Sequence, residues 1–371
     1  MEFRRLKRLL TLGLGAAALG RPAPAAGQEG AWRPRTVPLI GGSYAPDLGL
    51  VVGVGVVHTR YAFSALPPST RLLAEAEYGS AAGSYRAQLA GDFRRPLAPT
   101  VLTVELRASG LEMVRFYGFG NETDASQPDS VYRVDERQSL FAPAATVPLA
   151  PRLRLTLGPL VKYAHTHADT ATILTRTGPY YGAGYFGQIG TRALLELDTR
   201  DVPAAPAEGV HVRLTGEWYP PAWDVVSPFG RVSAEASTYV SAGDPPAVTL
   251  ALRAGGARVS GTVPLQDMVY VGGETTLRGY AEQRFAGRSG AYANAELRLF
   301  AGRLSLGDVG VFGLADAGRV WFPGESSDRW HAAAGGGVWF AWRHRRADTV
   351  SLAVARSPER TALYVRAGLM F

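Results

Sequence analysis

The chain has 371 residues, 46% of them hydrophobic, with 44 Gly, no Cys and a formal net charge of +7. The missing thiols exclude disulfides and thiolate metal sites. The length could hold two soluble domains, but glycine and aromatic residues are frequent, Lys is almost missing, and the body of the chain has neither a convincing helix nor a long apolar span, which excludes a helical membrane protein.

Residues 1–27 read as a secretory signal peptide. Arg4, Arg5, Lys7 and Arg8 form its positive end, Leu9 to Leu19 its apolar run, and Ala25, Ala26 and Gly27 the small residues of a cleavage site. The apolar run is far shorter than the ~20 residues that cross a bilayer. Removing residues 1–27 lowers the net charge from +7 to +3. The basicity is therefore largely a targeting signal, and no nucleic-acid partner is expected. Residues 28–36 are a short periplasmic segment with no room for a further module, and residues 37–371 form one domain.

Alternation of period two runs through that domain. Val210, Val212, Leu214, Gly216 and Trp218 oppose His211, Arg213, Thr215, Glu217 and Tyr219; Leu72, Ala74, Ala76 and Tyr78 oppose Arg71, Glu75 and Glu77; Val248, Leu250, Leu252 and Ala254 oppose Thr249 and Arg253. Strand starts fall near 37, 50, 69, 83, 100, 130, 152, 185, 209, 227, 247, 289, 306, 328, 348 and 361. About sixteen strands, an even number, with an apolar face and a charged face, give an all-β chain: a transmembrane antiparallel β-barrel with a polar lumen. Tight turns are expected at Pro46-Asp47, Ala81-Ala82-Gly83, Ala150-Pro151 and 243–246, and longer loops at 118–130, 168–184 and 261–289, as if turns lay at one end and loops at the other. Leu363, Val365, Ala367, Leu369 and Phe371 share one face of a last strand ending in an aromatic residue.

The loop before the strand at 289 carries the most information. Gly272, Gly273, Leu277, Arg278, Gly279 and Tyr280 set one Arg among glycines, and the next strand places Asn294, Glu296 and Arg298 on its inward face. Asp316 lies inward on the strand after that. An inward-folded loop whose Arg278 pairs with Glu296 and Asp316 is expected, because buried charges are paired.

Leu277-Arg278-Gly279-Tyr280 resembles the loop motif of the BamA/TamA superfamily of outer-membrane barrels, and Asp316-Ala317-Gly318 its Asp-x-Gly strand motif. Phe116-Tyr117-Gly118-Phe119-Gly120-Asn121 resembles a motif at the start of a loop in those barrels, and Asp198-Thr199-Arg200-Asp201, with Pro206 and Gly209, their central turn. Leu369 and Phe371 resemble the C-terminal assembly signal read by the insertion machinery. The resemblance implies a bacterial outer-membrane barrel that assists insertion or translocation of polypeptides. Its partners would be outer-membrane lipids and lipopolysaccharide, unfolded outer-membrane polypeptides as clients, and the barrel assembly machinery for its own insertion. The family's periplasmic repeats are missing.

Other chemistry is weaker. His165 and His167, continued by Asp169, could face one metal, but no further ligand of suitable spacing accompanies them. A Gly-x-Ser-x-Gly elbow is absent, and His58, His211 and His331 have no evident Ser partner. No catalytic residue, metal or cofactor is assigned. Trp218, Trp223, Trp321, Trp330, Trp339 and Trp342 suit interfacial girdles. Gly41-Gly42, Gly53, Gly55 and Gly335-Gly336-Gly337 are expected to loosen the wall, with a weak seam between first and last strands. A passive pore or scaffold, and a lipid-associated barrel working with a separate hydrolase, are the alternatives to polypeptide handling.

Overall fold

The computed structural model describes residues 33–371, apart from 63–67, 96–97, 244–245 and 344. The signal peptide expected over residues 1–27 and the greater part of the segment after it lie outside the described residues, as does part of the 243–246 turn. The strands are β1 (Arg35–Ala45), β2 (Gly49–Arg60), β3 (Thr70–Gly79), β4 (Ser84–Arg94), β5 (Val101–Ser109), β6 (Glu136–Ala150), β7 (Leu153–Thr166), β8 (Tyr185–Asp198), β9 (Gly209–Tyr219), β10 (Phe229–Ala242), β11 (Val248–Gly261), β12 (Val269–Val271), β13 (Phe285–Gly287), β14 (Ser289–Arg303), β15 (Gly307–Trp321), β16 (His331–Trp342), β17 (Arg345–Arg356) and β18 (Thr361–Ala367). Sixteen of them close an antiparallel barrel in sequence order, with β11 pairing β14 and β18 returning to β1. The two short strands β12 and β13 form a separate two-stranded sheet inside the β11–β14 connection, and Ala286 of β13 also bridges Gly120.

Alternation decides which side chains meet lipid. Val240 and Leu250 are cross-strand partners and both point outward, 64% and 42% exposed; next to Leu250, Thr249 points inward, 7% exposed, and bonds Ser241. Leu195 pairs with the outward Leu214, and His211 and Tyr219 are buried inside. No helix among the described residues is long and apolar enough to cross a membrane; the strands carry the apolar outer band instead.

The lumen is not uniform. At the end holding the 110–135, 167–184 and 262–288 connections, it is a packed core. Met113, Phe116, Val134, Leu174, Leu265 and Ala286 form one cluster, and Val271, Leu277, Tyr280, Phe285, Val320 and Ala333 another. Away from that core the wall is ionic: Arg154 and Arg213 pair with Glu196.

Four expectations need correction. Antiparallel order places the tight turns at 46–48 and 80–83 at the same end as the long loops, so the separation of turns from loops fails for the first two hairpins. The last strand does not run to Phe371. It stops at Ala367; Gly368 takes φ 82°, a left-handed conformation that favours glycine, and the chain turns into the lumen. Leu363 is exposed to the outside while Phe371 is buried beside Tyr239 and Ala251, so the two do not share a face. Trp339 also points inward, against the cluster of Phe312, Leu314, Ala355 and Tyr364, rather than into a girdle; Trp218, Trp321, Trp330 and Trp342 are exposed. Finally, the β16 glycines, expected to loosen the wall, are paired with both neighbouring strands and make room: the Phe312 ring comes within 2.6 Å of where a Cβ on Gly337 would sit.

The seam is unequal to the rest of the wall. Among the described residues β1 and β18 are in register at Tyr44 and Val365 alone. On the other side of β18, pairing runs from Val350 with Ala367 to Arg356 with Thr361.

The two faces of β11 give a direct test. Leu250→Arg should destabilise the folded barrel by ~2–4 kcal/mol, the cost of a guanidinium on the lipid face near the midplane. Thr249→Arg, facing the lumen, should cost far less. Urea unfolding in lipid vesicles measures both, and equal costs would refute the assignment of faces.

Candidate functional site

The loop between β12 and β13 is shaped by its glycines. Gly272 and Gly273 take φ of 140° and 78°. The Thr276 hydroxyl accepts from the Gly272 N–H at 2.8 Å and donates to its carbonyl at 2.9 Å, closing the turn. Leu277 is thereby driven into the buried cluster with Val271 and Phe285. Gly279, at φ 85°, passes so close to the wall that a Cβ would come within 3.2 Å of Ala333 and of the Ser357 nitrogen. Its N–H donates to the Tyr364 hydroxyl at 2.9 Å, and its carbonyl accepts from Ser357 at 2.7 Å. Tyr280 packs on Phe285 and His331.

Between these residues Arg278 points at the wall. Its Nε and Nη2 donate to the two oxygens of Asp316, each at 2.8 Å, and its backbone N–H donates to the same carboxylate at 3.1 Å. Its Nη1 donates to Glu296 at 2.6 Å. All three side chains are buried. The second oxygen of Glu296 accepts from Arg298 Nε and Nη2 at 2.9 and 2.8 Å. Arg298 donates in turn to the Pro206 carbonyl in the β8–β9 turn and to the Phe371 carbonyl. Charge thus alternates along Asp316, Arg278, Glu296 and Arg298, and each partner offsets the desolvation of the next. Asn294, on the same face, accepts from Arg253 and donates to the Thr276 carbonyl.

Two further ties were not singled out in the sequence. Lys162, on β7, bonds Asp267 at 2.8 Å, while Gln188 on β8 donates to the other Asp267 oxygen and Arg231 on β10 to its carbonyl. The start of the loop is therefore held on a different part of the wall. The signal was available: Lys162 is the one lysine after Lys7. Asp47, in the β1–β2 turn, accepts from Arg360 at 2.7 Å, from Arg115 at 3.2 Å and from the Glu282 N–H at 2.9 Å. Arg360 also donates to the Tyr280 carbonyl. One carboxylate so joins the two turns that flank the seam to the inward loop.

The remaining candidates go elsewhere. Asn121, from the 116–121 segment, is buried and bonds Ser327, the Arg329 carbonyl and the Val320 N–H. In the 198–209 turn, Asp198 pairs with Arg200, and Asp201 with Arg346. Leu369 donates its N–H to the Ala204 carbonyl of that turn. His165 stacks on Tyr185 at 3.9 Å, and His167 is exposed. Glu196, Asp198 and His211 converge closely enough to share a cation, but Arg154, Arg200 and Arg213 already neutralise the two carboxylates. His58 bonds Thr36, His211 bonds Glu196, and His331 bonds the Asn121 carbonyl; none of these contacts is a nucleophile–base pair with serine.

The ion cluster predicts strong coupling. Removing one member of a well-buried pair costs ~3–5 kcal/mol, because the other charge is left uncompensated. Arg278→Ala and Asp316→Ala should each sharply lower heat-modifiable gel mobility and protease resistance. The double variant should lose little more than either alone, and additive losses would show that the groups are not coupled.

The Asp47 tie predicts a dependence on pH. Burial pushes the Glu282 carboxyl up to about 8, with Asp47 and Glu274 adding like charge. Asp47 is held below its ordinary range: burial opposes this, but the Arg360 hydrogen bond and charge outweigh it. A carboxyl raised in the folded state favours the protonated form, so its contribution to loop closure is lost as pH rises from about 4.5 to about 8. Asp47 acts in the opposite sense, its contribution being lost only in acid. Compared at each pH, Glu282→Gln should protect the loop from proteolysis relative to wild type at pH 9 and match it at pH 5. A pH-independent difference would sink this assignment.

A family model described as the Omp85 superfamily domain matches residues 70–344. No curated protein matches the chain. Among solved structures it is similar to BamA from Haemophilus ducreyi lacking POTRA domains 1–3, at 15% identity and a TM-score of 0.66, over 91% of this chain and 71% of that one. It is also similar to CdiB from Acinetobacter baumannii (12%, TM-score 0.54, 91% of this chain) and from Escherichia coli (14%, TM-score 0.55, 88% of this chain). The chain spans 60% and 62% of those two, about three-fifths of their length. These likenesses share the barrel fold, and the family match covers most of the chain: it belongs to the Omp85 superfamily.

Proposed function

We propose that this barrel assists the insertion or translocation of polypeptides at the bacterial outer membrane, without covalent chemistry, by parting the seam between β1 and β18. On this reading residues 1–27 are its export signal, residues 37–371 the membrane domain, and Leu369 and Phe371 its own assembly signal. Outer-membrane lipids and lipopolysaccharide surround it, and unfolded outer-membrane polypeptides are its clients.

The observation that carries the reading is the asymmetry of the seam. At the loop end, Asp47 and Arg360 tie the β1–β2 turn to the β17–β18 turn. Below that tie the two strands are in register at Tyr44 and Val365, and β18 leaves the wall at Gly368. The edge of β1 beside the departing chain offers backbone groups that a strand can take up, as sheet edges do. Meanwhile Arg278, Asp316 and Glu296 brace β14 and β15, several strands away from the seam. A braced wall three strands away from a weak edge holds β14 and β15 in place while the edge moves.

Locking the seam tests this. The chain has no Cys of its own. A link between Leu39 and Leu369 suits a fully paired last strand, but Leu369 has left the wall, so the pair in register is the one to join. Facing residues of an antiparallel pair lie about 4.5–5.5 Å apart at Cα, within reach of a disulfide. Tyr44→Cys with Val365→Cys should fold, oxidise and abolish activity in a deletion strain, with rescue by reductant. Complementation by the oxidised protein as good as wild type would replace this reading with that of a scaffold or passive pore.

A further inference from the structure

Phe371 sits in a formed receptor. The Arg253 guanidinium lies 5.0 Å from its ring centre and that of Arg298 5.6 Å. Tyr239 and Ala251 pack beside the ring. Arg298 Nη2 also donates to the Phe371 carbonyl at 2.9 Å. Both arginines are at least nine-tenths buried and are fixed by other groups: Arg298 by Glu296 and Pro206, Arg253 by Asn294 and the Thr275 carbonyl. Those bonds hold the two guanidinium groups independently of the ring. Two guanidinium groups held against one ring, with a donor to the adjacent carbonyl, recognise an aromatic residue in a peptide; cation–π attraction favours a ring over an aliphatic side chain of similar size.

Beyond the ring contacts and the Phe371 carbonyl, three hydrogen bonds among the described residues hold the occupant. Gly368 donates to the Thr349 carbonyl and accepts from Ser351, and Leu369 donates to the Ala204 carbonyl. The turn depends on Gly368: its φ is 82°, and a Cβ there would meet the Ala204 oxygen at 2.8 Å. The 368–371 segment can therefore leave by rotation at one residue, leaving the receptor intact.

We propose that the lumen pocket of Arg253, Arg298, Tyr239 and Ala251 is a docking site for an aromatic residue of a polypeptide segment, which Phe371 fills at rest and an incoming segment fills when Phe371 departs. This deepens the proposed function, on which it rests, by naming the part of a polypeptide that is bound. The two fail separately: docking is measured with peptide on purified protein, seam opening by complementation in cells.

The probe is a fluorescent Gly-Leu-Met-Phe peptide, with Gly-Leu-Met-Ala and Gly-Leu-Met-cyclohexylalanine as controls. In the full chain, Gly368→Val makes the inward turn strained and expels the segment. This variant should bind the Phe peptide at least tenfold more tightly than wild type, and more tightly than either control. Adding Arg253→Gln and Arg298→Gln should remove that gain. Equal binding of the Phe and Ala peptides, or equal binding by variant and wild type, overturns the proposal. A second variant, Phe371→Ala, keeps the turn and vacates only the ring space. Its thermal midpoint should rise with toluene, which fits the vacated ring space, and not with methylcyclohexane; no difference between the two in that folded barrel also overturns it.

Discussion

A guanidinium buried inside a barrel is the constraint around which this molecule is arranged. Arg278 is out of water, and an unpaired charge there would cost several kcal/mol. Asp316 and Glu296 must therefore face it from adjacent strands, and they do so because alternation sets both inward. For the guanidinium to reach them, the chain before it must turn through Gly272 and Gly273, and the chain after it must pass the wall without a side chain at Gly279. Leu277 and Tyr280 then have nowhere to go but the core that fills the loop end of the lumen. One charge so ties together loop conformation, strand register and the packing of the Leu277 and Tyr280 cluster.

The same charge reaches further through its neighbours. Glu296 shares its carboxylate between Arg278 and Arg298, and Arg298 holds both the β8–β9 turn and Phe371. The inward loop from one end of the barrel and the chain segment from the other thus meet on one strand. A disturbance at Phe371 leaves Arg298 with one fewer acceptor and alters the field at Glu296. That is a physical route of coupling, through groups in direct contact rather than through spatial intermediacy.

Much of this was legible in the sequence, for reasons that are local. Period-two patterning is a property of neighbours, so sixteen strand positions and both faces of β3, β9 and β11 could be read from short windows. Gly272, Gly273, Arg278, Gly279, Glu296 and Asp316 were readable because glycines and charges of opposite sign in consecutive elements admit few arrangements. What could not be read is set by distance or by conformation. Asp47 and Arg360 are 313 residues apart and meet only because the barrel closes. The alternation of Leu363 through Phe371 continues formally to the end, yet the positive φ of Gly368 takes the chain out of the sheet. Trp339 looked like a girdle residue because composition does not reveal that Phe312 and Leu314 await it inside. The tight turns at 46–48 and 80–83 were separable from the long loops by length, but which end a turn occupies depends on counting strands from the first.

The stability of the seam follows from these parts. Every unpaired backbone group facing lipid costs several kcal/mol, so a barrel whose β1, among the described residues, is in register with β18 only at Tyr44 carries an expensive edge. Such an edge persists only if β18 gains more by turning inward than by pairing onward. Gly368 gains hydrogen bonds from Thr349 and Ser351, Leu369 from Ala204, and Phe371 gains two cation–π contacts and a charge-assisted hydrogen bond. The lumen pocket and the β1 edge therefore compete for one short segment. On the proposed function, strengthening the pocket would open the edge and weakening it would let the segment return to β1. On the proposed function, that balance makes the edge available without unfolding the wall, because the Asp47–Arg360 tie keeps the loop end of the seam closed while the other end changes partners.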